Sequence, residues 1–320
     1  MSTARDIADA DGAEILTRHL PRLIYDSGER YFAVGPAAWI ADFAVRLERH
    51  DGPGLDASGP DLNLELSLSF LGAKRYADGV QASREDRLVA RDPAAAADAW
   101  RRERPVGATP IHGRAAVGGD GRLWLAYWFF YPYNDYPLLG QRLPVGRHEG
   151  DWEMVQVRLD ADGAPELLLC AVHARVEAWP WGRVWRAGEQ PILFVARGSH
   201  GCHTRPGRHW TGTWWDRADG AGATPDSALE LLSDTPSDAA SDAASDAASD
   251  AASDAASDVA SDVAGPGAWV HWPGRWGGTR PRGPRRRRLG LDAISPHGPG
   301  HQRQWSDPAT LLSGAGGWRS

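Results

Sequence analysis

Cysteine, lysine and long apolar runs are what this chain has least of. Its two cysteines in 320 residues, Cys170 and Cys202, exclude a disulfide scaffold and a four-cysteine zinc site. No apolar run approaches the ~20 residues that a membrane-spanning helix needs. The start, MSTARDIADADGAEI, has neither a basic end nor an apolar stretch. No secretory signal is read there, and a cytoplasmic protein with reduced thiols is expected. Lys74 is the only lysine among 35 basic residues. Several familiar catalytic signatures are also missing: GxGxxG after a strand, GxxxxGK[ST], HExxH and GxSxG.

What is present is ordinary globular composition, 42% hydrophobic and 24% charged, in a chain long enough to bury a real core. The 37 glycines and 23 prolines favour turns over long helices, and 16 tryptophans stand out. The net charge of -7 is localised: residues 237–264 repeat SDAA or SDVA and carry seven aspartates with no basic residue. Without them the chain is neutral, so charge does not point to a nucleic-acid partner. The repeat offers no large side chain to bury, and its Ser and Asp compete with the backbone for hydrogen bonds. Residues 233–266 are therefore read as a disordered low-complexity insertion in one domain spanning 1–320. The arginine run RPRGPRRRR at 280–288 is read as a solvated loop balancing that repeat, with a phosphate patch as the alternative.

Along the chain, short strands dominate. Leu23 to Tyr25 reads as a strand, followed by a turn at Asp26-Ser27-Gly28 and a helix opened by Pro36, with Trp39, Phe43, Val45 and Leu47 as its apolar face. Leu62, Leu64, Leu66 and Leu68 alternate up to Phe70 and Leu71, which predicts a strand. Asp92 caps a helix over 92–103, expected to be the longest. LWLAYWFFY (123–131) is apolar on both faces and suits a strand between two layers. GDWEMVQVRLD, APELLLCAVHARV and QPILFVARG supply further strands. The fold class expected is mostly β: an antiparallel, jelly-roll-like β-sandwich with a few peripheral helices.

The stretch that carries chemistry is YPYND (131–135) followed by RHEGDWE (147–153). Asp151 and Glu153 stand two apart on a strand and share a face, so they repel unless a cation sits between them. Trp152 points the other way, into the core. With His148 from the preceding turn and oxygen from Asn134 or Asp135, they form a plausible shell for one divalent cation, Mg²⁺, Ca²⁺ or Mn²⁺. A strand of solvated acids is the plain alternative. His173 and His200, both near strand ends, are candidates to face the same cavity. His200, Cys202 and His203 offer a second possible trio, for a softer metal such as zinc. Cys170, inside an apolar strand, should be inert, whereas Cys202 should sit in an accessible loop.

These motifs carry a resemblance. YDSGERYF, LSLSFLGAKRYADG, LWLAYWFFYPYND, GRHEGDWEMVQVRL, PILFVARGSH, WVHWPGRWGG and SPHGPGHQRQWSDP occur in an order that resembles the vacuolar protein sorting-associated protein 62 family in its bacterial form. More distantly, FYPYND with HEGDWE is similar to the necrosis- and ethylene-inducing-peptide-like toxins and their GHRHDWE hallmark. The toxin His, Asp, Trp and Glu fall on His148, Asp151, Trp152 and Glu153, and an upstream Asp falls on Asp135. Glu149 and Gly150 replace the Arg and second His. The likeness implies a β-sandwich whose divalent-metal site contacts glycosphingolipid headgroups. Two functions are expected from different classes. One is a metal-dependent binding protein for a small polar ligand, lipid headgroup or glycan. The other is a metal-dependent, hydrolase-like enzyme with His173 or His200 as base beside a metal-bound water.

Overall fold

The computed structural model describes residues 4–50, 66–74, 76, 80–103, 107–136, 146–173, 175–212, 215–232, 267–279 and 294–314. The SDAA repeat and the arginine run at 280–288 lie outside the described residues, as do Leu62 and Leu64.

In chain order, α1 (Ala4–Arg18), β1 (Arg22–Tyr25), α2 (Pro36–Asp42), β2 (Arg46–Glu48), α3 (Leu68–Ala73), β3 (Arg87–Val89) and α4 (Pro93–Glu103) precede the main sheet. The strands β4 (Thr109–Val117), β5 (Leu123–Asn134), β6 (His148–Leu159), β7 (Pro165–Val172) and β8 (Arg175–Pro180) follow as an antiparallel meander. Then come β9 (Arg186–Ala187), β10 (Gln190–Val195), β11 (Cys202–His203), β12 (Gly207–Trp210), β13 (Trp215–Ala218) and β14 (Ser227–Leu231). A last short strand, β15 (Arg275–Trp276), precedes α5 (Arg303–Ser306) and α6 (Thr310–Gly314).

The central sheet has the order β14-β4-β5-β6-β7-β8. A second sheet, β1-β10-β11 with β9 on β10, and a third, β15-β3-β2, flank it, and β12 with β13 forms a hairpin. The expected mostly-β fold with helices at the periphery is what forms. The pairing is mixed rather than wholly antiparallel, because β14–β4, β1–β10 and β15–β3 run parallel.

The alternation of β5 sorts its side chains into two cores. Leu125, Tyr127, Phe129 and Tyr131 meet Leu23, Tyr25, Leu193 and Val195 of the second sheet. Trp124, Ala126, Trp128 and Phe130 face the other way, onto Trp39, Leu47, Leu88, Trp152, Trp269, Trp272 and Trp276. That second face is covered by helices, the small third sheet and tryptophan-bearing loops. Each large apolar side chain removed from water here contributes ~1.5–3 kcal/mol.

Three local expectations are corrected. Residues 68–73 form a helix, not a strand, because the Ser67 hydroxyl caps the Phe70 N–H at 3.2 Å and Lys74 closes the end in the left-handed region. The helix opened by Pro36 ends at Asp42, so Leu47 belongs to β2 and Val45 to the link between them. The longest described helix is α1, with 15 residues, rather than the helix capped by Asp92, whose carboxylate accepts from the Ala95 N–H at 3.0 Å.

Candidate metal and ligand site at the β5–β6 end

The β5–β6 register sets Asn134 opposite His148, Tyr131 opposite Asp151 and Phe129 opposite Glu153. Just before the acids, Gly150 takes a φ of +63°, and a Cβ there would overlap the Trp276 carbonyl oxygen. Glycine is the residue that permits both the turn of the backbone and this close approach. Trp152 points away from the acids, with its ring 4.8 Å from Phe130 and 5.6 Å from Trp276.

The acids have different surroundings. Asp151 Oδ2 accepts from His200 Nδ1 at 2.9 Å and from Asn134 Nδ2 at 3.3 Å. Its Oδ1 lies 3.9 Å from His148 Nε2. His148 Nδ1 donates to the Gly150 carbonyl at 2.7 Å, which leaves Nε2 with a lone pair toward that carboxylate. Asn134 Oδ1 is buried with no hydrogen-bond partner among the described residues. Glu153 is 9% exposed and makes no hydrogen bond or ion pair with any described residue. Burial, then the charges of Asp151 and Asp216, push its carboxyl well above the usual range. Asn134 Oδ1, the two acids and His148 Nε2 are the donor atoms of this end, but no three of its described His, Asp and Glu side chains bring ligand atoms within 4.8 Å of one another.

His200 locks this end from behind. It has a φ of +58° in the turn after β10 and stacks on Tyr131 at 3.9 Å. Its Nε2 lies 3.7 Å from Glu29 Oε1. Glu29 itself accepts from the N–H groups of Arg30, Tyr31 and Gly198. Burial lowers the His200 pKa, but Asp151 and Glu29 together outweigh it and lift it to about 9. Asp151 and Glu29 are correspondingly held below their usual values against their own burial.

The structure thus brings Asn134, His148 and His200 to Asp151, with Glu153 next along the same face, while Asp135 turns aside to Arg147, with Oδ1 2.6 Å from Nε. His173, φ +51°, sits 3.4 Å from Asp216 Oδ1 and lines a half-open cleft of about 310 Å³. Glu153, Trp128, Trp152, Arg175 and Gln302 line the same cleft. The trio of His200, Cys202 and His203 is split. His200 faces Asp151, His203 faces Glu177 and Asp216, and Cys202 is buried in the second core with its thiol pushed well up by burial. The expected accessible loop thiol is therefore a strand residue, because 202–203 pair with β10.

Sequence reasoning missed Glu29, Glu177, His209 and Asp216. Glu29 lay inside the YDSGERYF motif, whereas the others carried no local signal. Glu177, His203 and His209 form the group among the described residues whose ligand atoms lie within 4.8 Å of one another, so a His/Glu set able to hold a metal ion is present.

No family model matches the chain. Vacuolar protein sorting-associated protein 62 of Saccharomyces cerevisiae is 30% identical over 109 residues, 29% of this chain and 23% of its own length. Vacuolar protein sorting-associated protein TDA6 of the same yeast is 30% identical over 113 residues, 29% of this chain and 24% of its own. The relationship that the ordered motifs imply is thus found in sequence, and the chain spans about a quarter of the curated relatives it matches. Among solved structures, "NLPPya in complex with glucosamine" aligns with a TM-score of 0.33 at 15% identity, over 68% of this chain and 71% of that one. "Toxin fold for microbial attack and plant defense" aligns at 0.34 and 16%, over 70% and 75%. Superpositions this loose carry no argument about function.

Proposed function

We propose that this protein binds one hard divalent cation between Asp151, Glu153, Asn134 Oδ1 and His148. The cation then holds an oxygen-rich ligand, a sugar or polar headgroup, in the adjoining cleft. The observation that carries this reading is Glu153: a buried carboxylate with no partner among the described residues, beside Asp151 and Asp216, at a strand position that borders a cleft with tryptophan walls. Uncompensated buried acids cost stability, and a cation removes that cost while leaving coordination positions for hydroxyl groups. Trp128 and Trp152 line the cleft with aromatic surface, and Gln302 and Gln304 add hydrogen-bonding groups. Asp135 contributes by holding Arg147 rather than as a ligand.

A second reading, a metal-dependent hydrolase, is favoured by the His173–Asp216 pair on the cleft wall. In that reading His173 is the base, because His200 is fully buried between carboxylates and serves to position Asp151. Calorimetric titration of chelated protein with Mg²⁺, Ca²⁺ and Mn²⁺ tests the cation. Saturable one-to-one binding is expected in wild type, stronger as pH rises because the ion displaces the Glu153 proton, and lost in Glu153→Gln. Chelator should lower the melting temperature. No saturable heat with any of the three ions overturns the reading. Turnover of glycoside or ester probes that depends on His173 would favour the enzyme over the binding protein.

A further inference from the structure

We propose a second and chemically different metal site, in which Glu177, His203 and His209 hold one transition-metal ion of the zinc class. The three residues come from β8, β11 and β12, and one ligand atom of each lies within 4.8 Å of the others.

The tautomers favour ligation. His209 Nε2 lies 3.0 Å from the Arg205 carbonyl oxygen, which only accepts, so that nitrogen carries the proton and Nδ1 keeps the lone pair. His203 Nε2 lies 3.3 Å from Asp216 Oδ2. A carboxylate oxygen only accepts, so Asp216 Oδ2 accepts the hydrogen bond from Nε2–H. His203 Nδ1 is then the nitrogen turned to Glu177 Oε1, at 3.2 Å. A carboxylate behind one imidazole and a carbonyl behind the other is how metal-ligating histidines are oriented and kept basic. The two rings stack at 3.8 Å with 9° between their planes, which sets them side by side over Glu177. No described residue takes up His209 Nδ1.

The donor set selects the ion. Two imidazoles and one carboxylate suit Zn²⁺ and its neighbours rather than Mg²⁺ or Ca²⁺, which prefer all-oxygen shells. His203 is fully buried, whereas Glu177 is 24% exposed and His209 is half-buried, so the site opens to solvent on one side and can keep a water or ligand as fourth partner. Asp216 also accepts from Ser199 Oγ at 2.8 Å and faces His173, so the site stands behind the wall of the cleft and shares one carboxylate with it. The competing account is a protonated His203 bridging Glu177 and Asp216, with His209 merely stacked upon it.

Titration of chelated full-length protein with Co²⁺ distinguishes the two, read by visible ligand-field absorption, with Zn²⁺ as competitor. Wild type should develop one saturable band, abolished by stoichiometric Zn²⁺. His209→Ala and Glu177→Gln should each bind Co²⁺ at least about tenfold more weakly. Glu153→Gln should retain the band, because it alters only the β5–β6 end. Circular dichroism and thermal melting check that each variant is folded, and Glu177→Gln, at a partly exposed position, guards against a folding defect in His209→Ala. The proposal is overturned if wild type gives no saturable band, if folded His209→Ala and Glu177→Gln titrate like wild type, or if Glu153→Gln alone removes it.

Discussion

The two halves of the β5–β6 ladder are equally buried and chemically opposite. From Leu123 to Phe130, and back from Trp152 to Leu159, most side chains are buried and apolar, and the apolar ones pack into one of the two cores, while Glu153, Gln156 and Arg158 interrupt β6. From Tyr131 to Asp135, and from His148 to Asp151, the same strands and the turn after them carry a buried amide, three buried acids and a partly buried histidine. The apolar half has exceptions of its own, since neither amide atom of Gln156 nor Trp152 Nε1 has a hydrogen-bond partner among the described residues. The polar half leaves Asn134 Oδ1 without a partner and, with Glu153 at its border, an unpaired acid. Buried polar groups are ordinarily satisfied, and what sets the polar half apart is that its exceptions lie beside further acids and a histidine.

Gly150→Ala should break both halves and give the largest effect. A Cβ would need positive φ and would collide with the Trp276 carbonyl oxygen, with no flexible atom to yield. A loss above about 3 kcal/mol, or failure to fold, is expected in denaturant titrations. Trp152→Ala removes a ring from the tryptophan cluster and should cost ~3–5 kcal/mol while the acids remain in place. If a folded Trp152→Ala protein loses cation binding entirely, the two halves are not separable.

In cation-free protein the polar half should make stability pH-dependent. The folded pKa of His200, about 9, lies above the 6.5 of an unperturbed histidine. Its contribution is therefore full below pH 6.5 and is lost as pH rises through 9, by up to about 3 kcal/mol. His200→Asn should flatten that slope in melts from pH 6 to 10; an unchanged slope would mean that His200 is not the group responsible. The smallest effect concerns the thiols. Cys170 and Cys202 both lie in the apolar core and should resist a thiol reagent under native conditions, then react once the chain is unfolded. Rapid native labelling of Cys202 would show that β11 opens.

What the sequence made legible follows the same division. Strand β5 was readable because an unbroken apolar run has few other solutions, and α4 because Asp92 and the alanines act locally. HEGDWE displayed the acid pair, since strand periodicity alone puts Asp151 and Glu153 on one side. The residues that complete the site come from distant segments. Glu29 reaches His200 across 171 positions and Asp216 reaches His173 across 43, and only the packed sheets bring them together. Alternating leucines at 66–71 misled because Ser67 supplies a cap that outweighs period-two patterning. The parallel pairings of β1, β14 and β15 join segments far apart in sequence and leave no local trace.

The central claim is that the polar end of the ladder is built around a cation, and a crystal soaked in Mn²⁺ tests it most directly. The account predicts an anomalous peak bonded to Asp151 and Glu153, with Asn134 Oδ1 or His148 Nε2 completing the shell, and no such peak in Glu153→Gln. Wild-type crystals with no peak at that end would contradict it.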